Sequence, residues 1–291
     1  MSLLFIYNPE SGRRVISDKL DKIVSAFAKE GKLLTFYRIG ADNPRDLNAE
    51  INSGKYEGIV VCGGDGSVSS IAGAIIENDL QIPLGIIPGG TCNDFARSIG
   101  LPQDIEAAAK LIARGRVSTV DIGRVNGSTY FINTLGGGVF INVSYETDPN
   151  LKKALGPLAY YITGIGELGK MKPFELTITT DTEQITEQAL LFLVLNGPDV
   201  SGFSGVIKDA KMRDGEMDIL IFKNVNALAI TDSLIKIATS NELSSKNIVR
   251  LRTARCTIQS ESEILTTLDG ERGPALPLKA EMLCRALKIY C

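Results

Sequence analysis

Gly58-Ile59-Val60-Val61-Cys62-Gly63-Gly64-Asp65-Gly66-Ser67 is the stretch whose reading decides the fold. It opens with an unbroken apolar run. A strand with one wet face alternates apolar and polar residues, so a run without alternation implies burial on both faces, as in a parallel sheet covered by helices. The run stops at a glycine-rich turn. Beyond it Ile71, Ala74 and Ile75 fall on one helical face. The segment therefore reads as strand, tight loop, helix.

The same unit recurs on both sides. Leu3–Tyr7 is a short apolar run ending at Asn8-Pro9-Glu10-Ser11-Gly12, followed by Leu20, Ile23, Val24 and Phe27 at helical spacing. Leu33–Tyr37 predicts a strand and Pro44–Ile51 a helix. Leu84–Ile87 predicts a strand that ends at Pro88-Gly89-Gly90-Thr91, with helices over Asn93–Ile99 and Ile105–Arg114. Repeated units of this kind predict a parallel α/β domain over residues 1–122.

The pattern changes near Asp121. Thr119–Val125 and Ser128–Leu135 are β-rich and joined by Asn126-Gly127, a strong hairpin signal, and Gly136-Gly137-Gly138 then interrupts the strand pattern. Residues 157–170 and Ala227–Thr239 have helical spacing, whereas Leu176–Thr180, Gln188–Asn196, Met217–Phe222, Ile248–Leu251, Arg255–Ser260 and Glu263–Leu268 read as strands. The second domain, mostly antiparallel β, is expected over 123–278, with 279–291 returning to the first.

Composition narrows the chemistry. The 291 residues are 44% hydrophobic and 22% charged, as in a globular protein. Lys and Arg number 31 against 34 Asp and Glu, and no long basic run occurs, which argues against nucleic acid as a partner. There is no histidine. His-based triads, bases and metal ligands are thereby excluded, leaving carboxylates, Lys, Tyr or Cys for proton transfer and oxygen ligands for any metal. The five cysteines fit neither a zinc site nor a disulfide framework, so free thiols in a reducing cytosol are expected. Met1–Pro9 reads as a first strand, not a signal peptide, and no run reaches the ~18 apolar residues that span a bilayer.

Three loops, Asn8–Gly12, Gly63–Ser67 and Pro88–Asp94, fall at the carboxyl ends of expected parallel strands. Ligands bind at that edge of an open α/β sheet, where loop amides and helix N-termini favour phosphate and glycine permits close approach of the backbone. Any one of these loops alone reads as a plain strand-to-helix turn. Together they supply Asn8, Ser11, Asp65, Ser67, Thr91, Asn93 and Asp94 at one edge.

Asn-Pro-x-Ser-Gly at 8–12, Gly-Gly-Asp-Gly at 63–66, Pro-Gly-Gly-Thr-Cys-Asn-Asp-Phe-Ala at 88–96 and Leu-Asp-Gly-Glu at 268–271 occur in this order. The chain in this respect resembles the diacylglycerol kinase catalytic-domain family, specifically the soluble bacterial lipid kinases, over essentially its whole length. The resemblance implies an NAD-kinase/phosphofructokinase-like first domain, a C-terminal β-sandwich, and transfer of phosphate from ATP with Mg2+ to a lipid hydroxyl. It implies that Asn8, Ser11 and Gly12 help hold the nucleotide, and that Gly63, Gly64, Asp65, Gly66 and Ser67 cradle its phosphates, with Asp65 near the metal. Gly90 and Thr91 would contact phosphate, while Asn93 and Asp94 order the loop. Asp121 resembles an aspartate of the metal network. Asp269 and Glu271 resemble carboxylates that face the phosphoryl donor, and either one is the general base. Asp269-Gly270-Glu271 is equally a hairpin tip. Lys211, Asp214 and Glu216 correspond to a structural Mg2+ site, or to an Asp-Gly turn before Met217.

The sequence departs from the family where Thr-x-Asn-Glu would follow the glycine loop: here it is Ser67-Val68-Ser69-Ser70. A usual threonine near Tyr37–Gly40 is also missing. Weaker nucleotide affinity is the expected result. Leu155–Met171 either lines an acyl site or touches the membrane, or is an ordinary buried helix. The lipid, diacylglycerol by default, is expected between the two domains. The enzyme is expected in the cytoplasm, visiting the inner face of the membrane transiently, and free edge strands allow a homodimer. Two other readings stand beside the lipid kinase: an NAD-kinase-like enzyme with a soluble substrate, and a non-catalytic nucleotide or lipid sensor.

Overall fold

The computed structural model describes residues 2–9, 15–40, 43, 45–138, 172–200, 205–225 and 246–291. Ser11, Gly12, the expected helices at 157–170 and 227–239, and the 155–171 stretch lie outside the described residues. The chain divides into two units, Met1–Asp121 with Cys284–Cys291, and Ile122–Leu283.

In the first unit, β1 (Ser2–Tyr7), β2 (Leu33–Arg38), β3 (Gly58–Gly63) and β4 (Leu84–Pro88) form a parallel sheet in the order β2-β1-β3-β4. Every residue of β3 and β4 is buried, as the apolar run at 58–62 requires. The helices are α1 (Val15–Lys29), α2 (Leu47–Ile51), α3 (Asp65–Glu77), α4 (Asp94–Ser98) and α5 (Ile105–Arg114). Phe5, Val60, Cys62 and Ile87 of the sheet share one core with Ile23 and Phe27 of α1 and with Ala108, Ala109 and Ile112 of α5. Burial of a side chain such as Phe27 stabilises the fold by about 1.5–3 kcal/mol. Helix α5 is bounded by its sequence: Asp104 accepts the Ala107 N–H at 2.9 Å, and Gly115 closes the other end at φ 77°. Helix α2 begins at Leu47, three residues later than the expected Pro44, because Asp46 is its N-cap.

The second unit is antiparallel. Its strands are β6 (Thr129–Phe131), β7 (Thr134–Gly138), β8 (Phe174–Thr180), β9 (Gln184–Leu195), β10 (Met217–Lys223), β11 (Ile248–Thr253), β12 (Arg255–Gln259), β13 (Thr266–Leu268) and β14 (Glu271–Arg272). Two more, β5 (Val117–Val125) and β15 (Leu278–Tyr290), belong to both units. The order is β14-β13-β7-β9-β8-β12-β15, and β10 pairs with β9 and β11. Phe131, Phe192, Met217 and Ile258 lie in its core. The chain re-enters the first unit at Cys284, inside β15, where the sequence reading drew the boundary at 279.

One expectation fails here. The three glycines after the β-rich stretch Ser128–Leu135 do not interrupt the strand pattern. The strand breaks at Ile132–Asn133, and Gly136–Gly138 pair with Leu193, Phe192 and Leu191 of β9. A Cβ on Gly137 would strike the Phe192 ring, so glycine there makes room for an aromatic side chain. The break itself has a chemical cause: its amides are given to a carboxylate, as described next.

Candidate active site

Two glycine loops interlock at the carboxyl ends of β3 and β4. The Gly89 N–H donates to Gly63 O at 2.8 Å. A Cβ on Gly90 would sit 2.5 Å from Gly64 Cα, and one on Gly64 would sit 3.1 Å from Gly90 Cα. The two backbones thus approach each other where neither glycine has ordinary room for a side chain. Helix α3 starts at Asp65 with Gly64 as its N-cap and no side-chain cap, so no side chain of the cap takes up the amides of its first turn. Such amides, with the positive end of the helix dipole, suit phosphate oxygens. Ser67 leans back on Gly63: a Cβ there would come within 2.8 Å of Ser67 Oγ.

The second loop is held in shape by Asn93. Its backbone is left-handed at φ 52°, its Oδ1 accepts the Gly90 N–H at 2.8 Å, and its Nδ2 donates to Gly90 O at 3.2 Å. Thr91 is exposed at the loop tip. Asp65 ties the loops together, accepting the Phe95 N–H on Oδ1 at 3.1 Å and leaving Oδ2 available as an oxygen ligand. Asp94 pairs with Arg97. Asn8 follows β1, whose last residue, Tyr7, is in register with Cys62. Asp121 is buried and accepts the Arg285 N–H at 2.6 Å, where β15 takes φ 53°. It thus joins β5 to β15 at the residue where β15 takes that positive φ.

In the second unit, Leu268 pairs with Glu271, and Asp269 and Gly270 turn the chain at φ 48° and 88°. Both values are positive, as in a type I′ hairpin turn. Asp269 is more than a turn residue. Its Oδ2 accepts the Ile132 N–H at 2.8 Å, and its Oδ1 accepts those of Asn133 and Thr134, both at 2.9 Å. The Asp269 N–H donates to Thr134 O at 2.8 Å. Each hydrogen bond to a charged group contributes about 1.5–3 kcal/mol. Glu271, two residues on, is exposed. The hairpin tip and the carboxylate pair are thus one structure, with one carboxylate spent on the backbone.

Asp214 and Glu216 converge on one cation, the Arg252 guanidinium: Asp214 pairs with it, and Glu216 Oε2 lies 2.8 Å from its Nε. Next to it on β11, Arg250 bonds Asp218 at 2.7 Å and Asp209 at 2.9 Å. Burial pushes the Asp218 carboxyl above its usual range even with Arg250 beside it, while Arg250 draws Asp209 down. A divalent ion at Lys211, Asp214 and Glu216 would share Asp214 with Arg252. Among the described residues no three His, Cys, Asp or Glu side chains group as a metal cluster.

Sequence reasoning missed a buried polar set behind the Asp269 turn: Asn133, Asn196 and Asp199 are 4%, 1% and 5% exposed. The run Asn196-Gly197-Pro198-Asp199 reads as an ordinary turn, and only the fold shows that it is enclosed.

The thiols behave as buried groups. Burial pushes Cys62 and Cys256 up to about 12, whereas Cys284 is exposed. At pH 8 about one in 10⁴ of such buried thiols is ionised. Brief iodoacetamide treatment followed by mass spectrometry is expected to label Cys284 and to leave Cys62 and Cys256 unmodified until the chain is denatured.

Residues 2–125 match the diacylglycerol kinase catalytic domain, and residues 137–291 match the YegS C-terminal NAD kinase β-sandwich-like domain. The chain is 33% identical over 285 residues to a diacylglycerol kinase of Staphylococcus haemolyticus, spanning 98% of this chain and 86% of that protein. It is 33% identical over 278 residues to a diacylglycerol kinase of Bacillus subtilis, spanning 94% and 90%. A crystal structure of a diacylglycerol kinase from Bacillus anthracis superposes with a TM-score of 0.77 at 26% identity, covering 99% of this chain and 96% of that one. With two family domains in tandem and relatives matched nearly end to end, the chain belongs to the diacylglycerol kinase family.

Proposed function

We propose that this protein is a lipid kinase that transfers the γ-phosphoryl group of ATP to a lipid hydroxyl, with diacylglycerol as the default acceptor and phosphatidic acid as product. The observation that carries the reading is the interlock of Gly63-Gly64 with Gly89-Gly90 at the start of α3. It brings two glycine backbones together beside the first turn of α3, whose amides take no side-chain cap. Donors of this kind bind the phosphates of a nucleotide. The oxygen ligand at Asp65 Oδ2 fits a hard cation, so Asp65 is the residue that would hold Mg2+. Held there, the ion would supply charge neutralisation on the phosphates.

Phosphoryl transfer asks the protein for position and charge more than for covalent chemistry. The amides of Asp65, Gly66 and Ser67, with the Thr91 hydroxyl, orient the donor. As the lipid oxygen bonds to the γ-phosphorus and the bond to the leaving ADP breaks, the hydroxyl proton needs an acceptor. Glu271 has that role in this reading. Asp269 is the weaker candidate because three backbone N–H groups occupy its oxygens. Among the described residues no helix is long and apolar enough to cross a membrane. In this reading a lipid acceptor would be met at a membrane surface, by transient contact.

The test is incubation of the full chain with γ-labelled ATP, Mg2+ and a total lipid extract, with identification of the labelled product. A labelled phospholipid is the expected result. Label found in NAD and in no lipid, or ATP binding without any transfer, overturns the proposal.

A further inference from the structure

We propose that Asn196 and Asn133 are positioning residues for the Asp269–Glu271 turn, setting where the Glu271 carboxylate stands. The inference rests on the reading of Glu271 as the proton acceptor. It starts from a weakness in the sheet. Strand β14 is two residues long, pairs among the described residues only with β13, and both of its residues are exposed. Pairing alone does little to fix Glu271. Its position follows from Asp269, two residues back, and Asp269 is fixed by the amides of Ile132, Asn133 and Thr134.

Two of those amides lie in the gap between β6 and β7, where the ladder is interrupted. Their peptide groups are held from the other side. Asn196 donates its Nδ2–H to Ile132 O at 2.8 Å and its backbone N–H to Asn133 O at 2.9 Å. Asn133 donates its Nδ2–H to Asp199 O at 3.0 Å, and the Asp199 carboxylate accepts the Gly205 N–H at 2.8 Å. The gap thus presents its carbonyls to Asn196 and its amides to Asp269. Asn133 and Asn196 are both more than nine-tenths buried. A buried amide side chain that grips a peptide carbonyl fixes the plane of that peptide, and with it the direction of the next N–H. Rotating the Ile132–Asn133 peptide would swing the N–H that Asp269 accepts and carry the short turn with it. A misplacement of about 1 Å at a reacting group costs on the order of 10²-fold in rate.

The experiment is a double-mutant cycle on the full chain. It uses Asn196→Ala, Glu271→Gln and both together, assayed with γ-labelled ATP, Mg2+ and diacylglycerol in mixed micelles. Asn196→Ala is expected to lower kcat by roughly 10- to 100-fold and to leave KM for ATP within about twofold. In the Glu271→Gln background the same change is expected to alter kcat by no more than about twofold, because a group that acts through Glu271 has nothing left to position. A merely structural role would lower kcat by the same factor in both backgrounds, and that outcome overturns the proposal. So does an unchanged kcat in the single variant, or a rise in KM for ATP with kcat intact. Should Asn196→Ala fail to fold, Asn133→Ala replaces it. Asn133 Oδ1 has no hydrogen-bond partner, so that truncation orphans only the Asp199 carbonyl. Its expected drop is about three- to tenfold, again absent in the Glu271→Gln background. Full activity of Glu271→Gln alone would instead overturn the assignment of the proton acceptor.

Discussion

Glu271→Gln is expected to lower kcat for lipid phosphorylation by about 10³-fold, within the range that general-base catalysis contributes, while ATP binding and the melting curve stay as in the parent. The exposed side chain of Glu271 holds no part of the fold together, so its loss is felt only in proton transfer. Asp269→Asn is expected to behave in the opposite way. The asparagine oxygen can still accept from Asn133 and Thr134, which both use Oδ1. The new NH2 group, however, faces the Ile132 N–H that Oδ2 accepted at 2.8 Å, donor against donor. Leaving a buried donor unsatisfied costs about 1–3 kcal/mol. Asp269→Asn therefore melts earlier and loses about 10-fold in kcat through displacement of Glu271. Asp269→Ala, which removes all three bonds, is worse on both counts. Steady-state kinetics and thermal melts on the three variants check this. Were Asp269 the base, its asparagine variant would lose about 10³-fold in kcat and Glu271→Gln would keep its rate.

The second large effect belongs to Gly90. Alanine there sets a methyl carbon 2.5 Å from Gly64 Cα and 2.9 Å from Asn93 Oδ1. Neither neighbour can move as a free side chain: one is backbone, and the other is the oxygen that holds the loop. The loops must part by about 1 Å to restore ordinary contact, which costs about 1–3 kcal/mol of stability. It also spoils amide–phosphate bonds of the charge-assisted class. ATP affinity measured by calorimetry is expected to fall about 100-fold, as loss of one or two such bonds implies. Gly64→Ala meets Gly90 Cα at 3.1 Å, a gap that relaxes within a few tenths of an ångström, so its loss is expected to stay under about 10-fold. Gly100→Ala is the control. It sits at φ 75° with nothing within 4 Å, so it is expected to destabilise the fold by about 1 kcal/mol and leave ATP affinity unchanged. Equal losses in all three variants would mean that glycine matters here for backbone freedom and not for the close approach of two loops.

The first unit was legible because its signals are local. The unbroken run at 58–62 gives a strand buried on both faces, and Gly115 and Asp104 mark the ends of a helix by their own chemistry. The second unit was legible in its strands but not in its joints. The break at Ile132–Asn133 is imposed by Asp269, 136 residues further along, and no window of sequence contains both. The three glycines of β7 read as a stop because glycine lacks β propensity. Their role is set by the Phe192 ring on the neighbouring strand. The candidate site divides in the same way. Glycine loops and Asn93 announce themselves by composition, whereas the burial of Asn133, Asn196 and Asp199 is a tertiary fact. The preference for Glu271 over Asp269 in the proposed role rests on the three N–H groups that Asp269 accepts, and Arg252 as the cation beside Asp214 and Glu216 depends on the pairing of β10 with β11.

Strand β15 has a consequence for how the chain is made. It pairs through Leu278–Glu281 with β12 in the second unit, and its other end sets Ile289 beside Leu84 in the first. The Tyr290 hydroxyl lies against Gly58, at the start of the strand that leads into the glycine loops. During synthesis the first unit emerges early, yet its sheet waits for a partner more than 200 residues downstream, 84 to 289. Contacts of such sequence separation slow folding, because the loop must be closed before the contact rewards it. The first unit is therefore expected to mature only once Cys284–Cys291 has been made, and, on the proposed function, a nascent chain stalled before residue 284 to be unable to retain ATP.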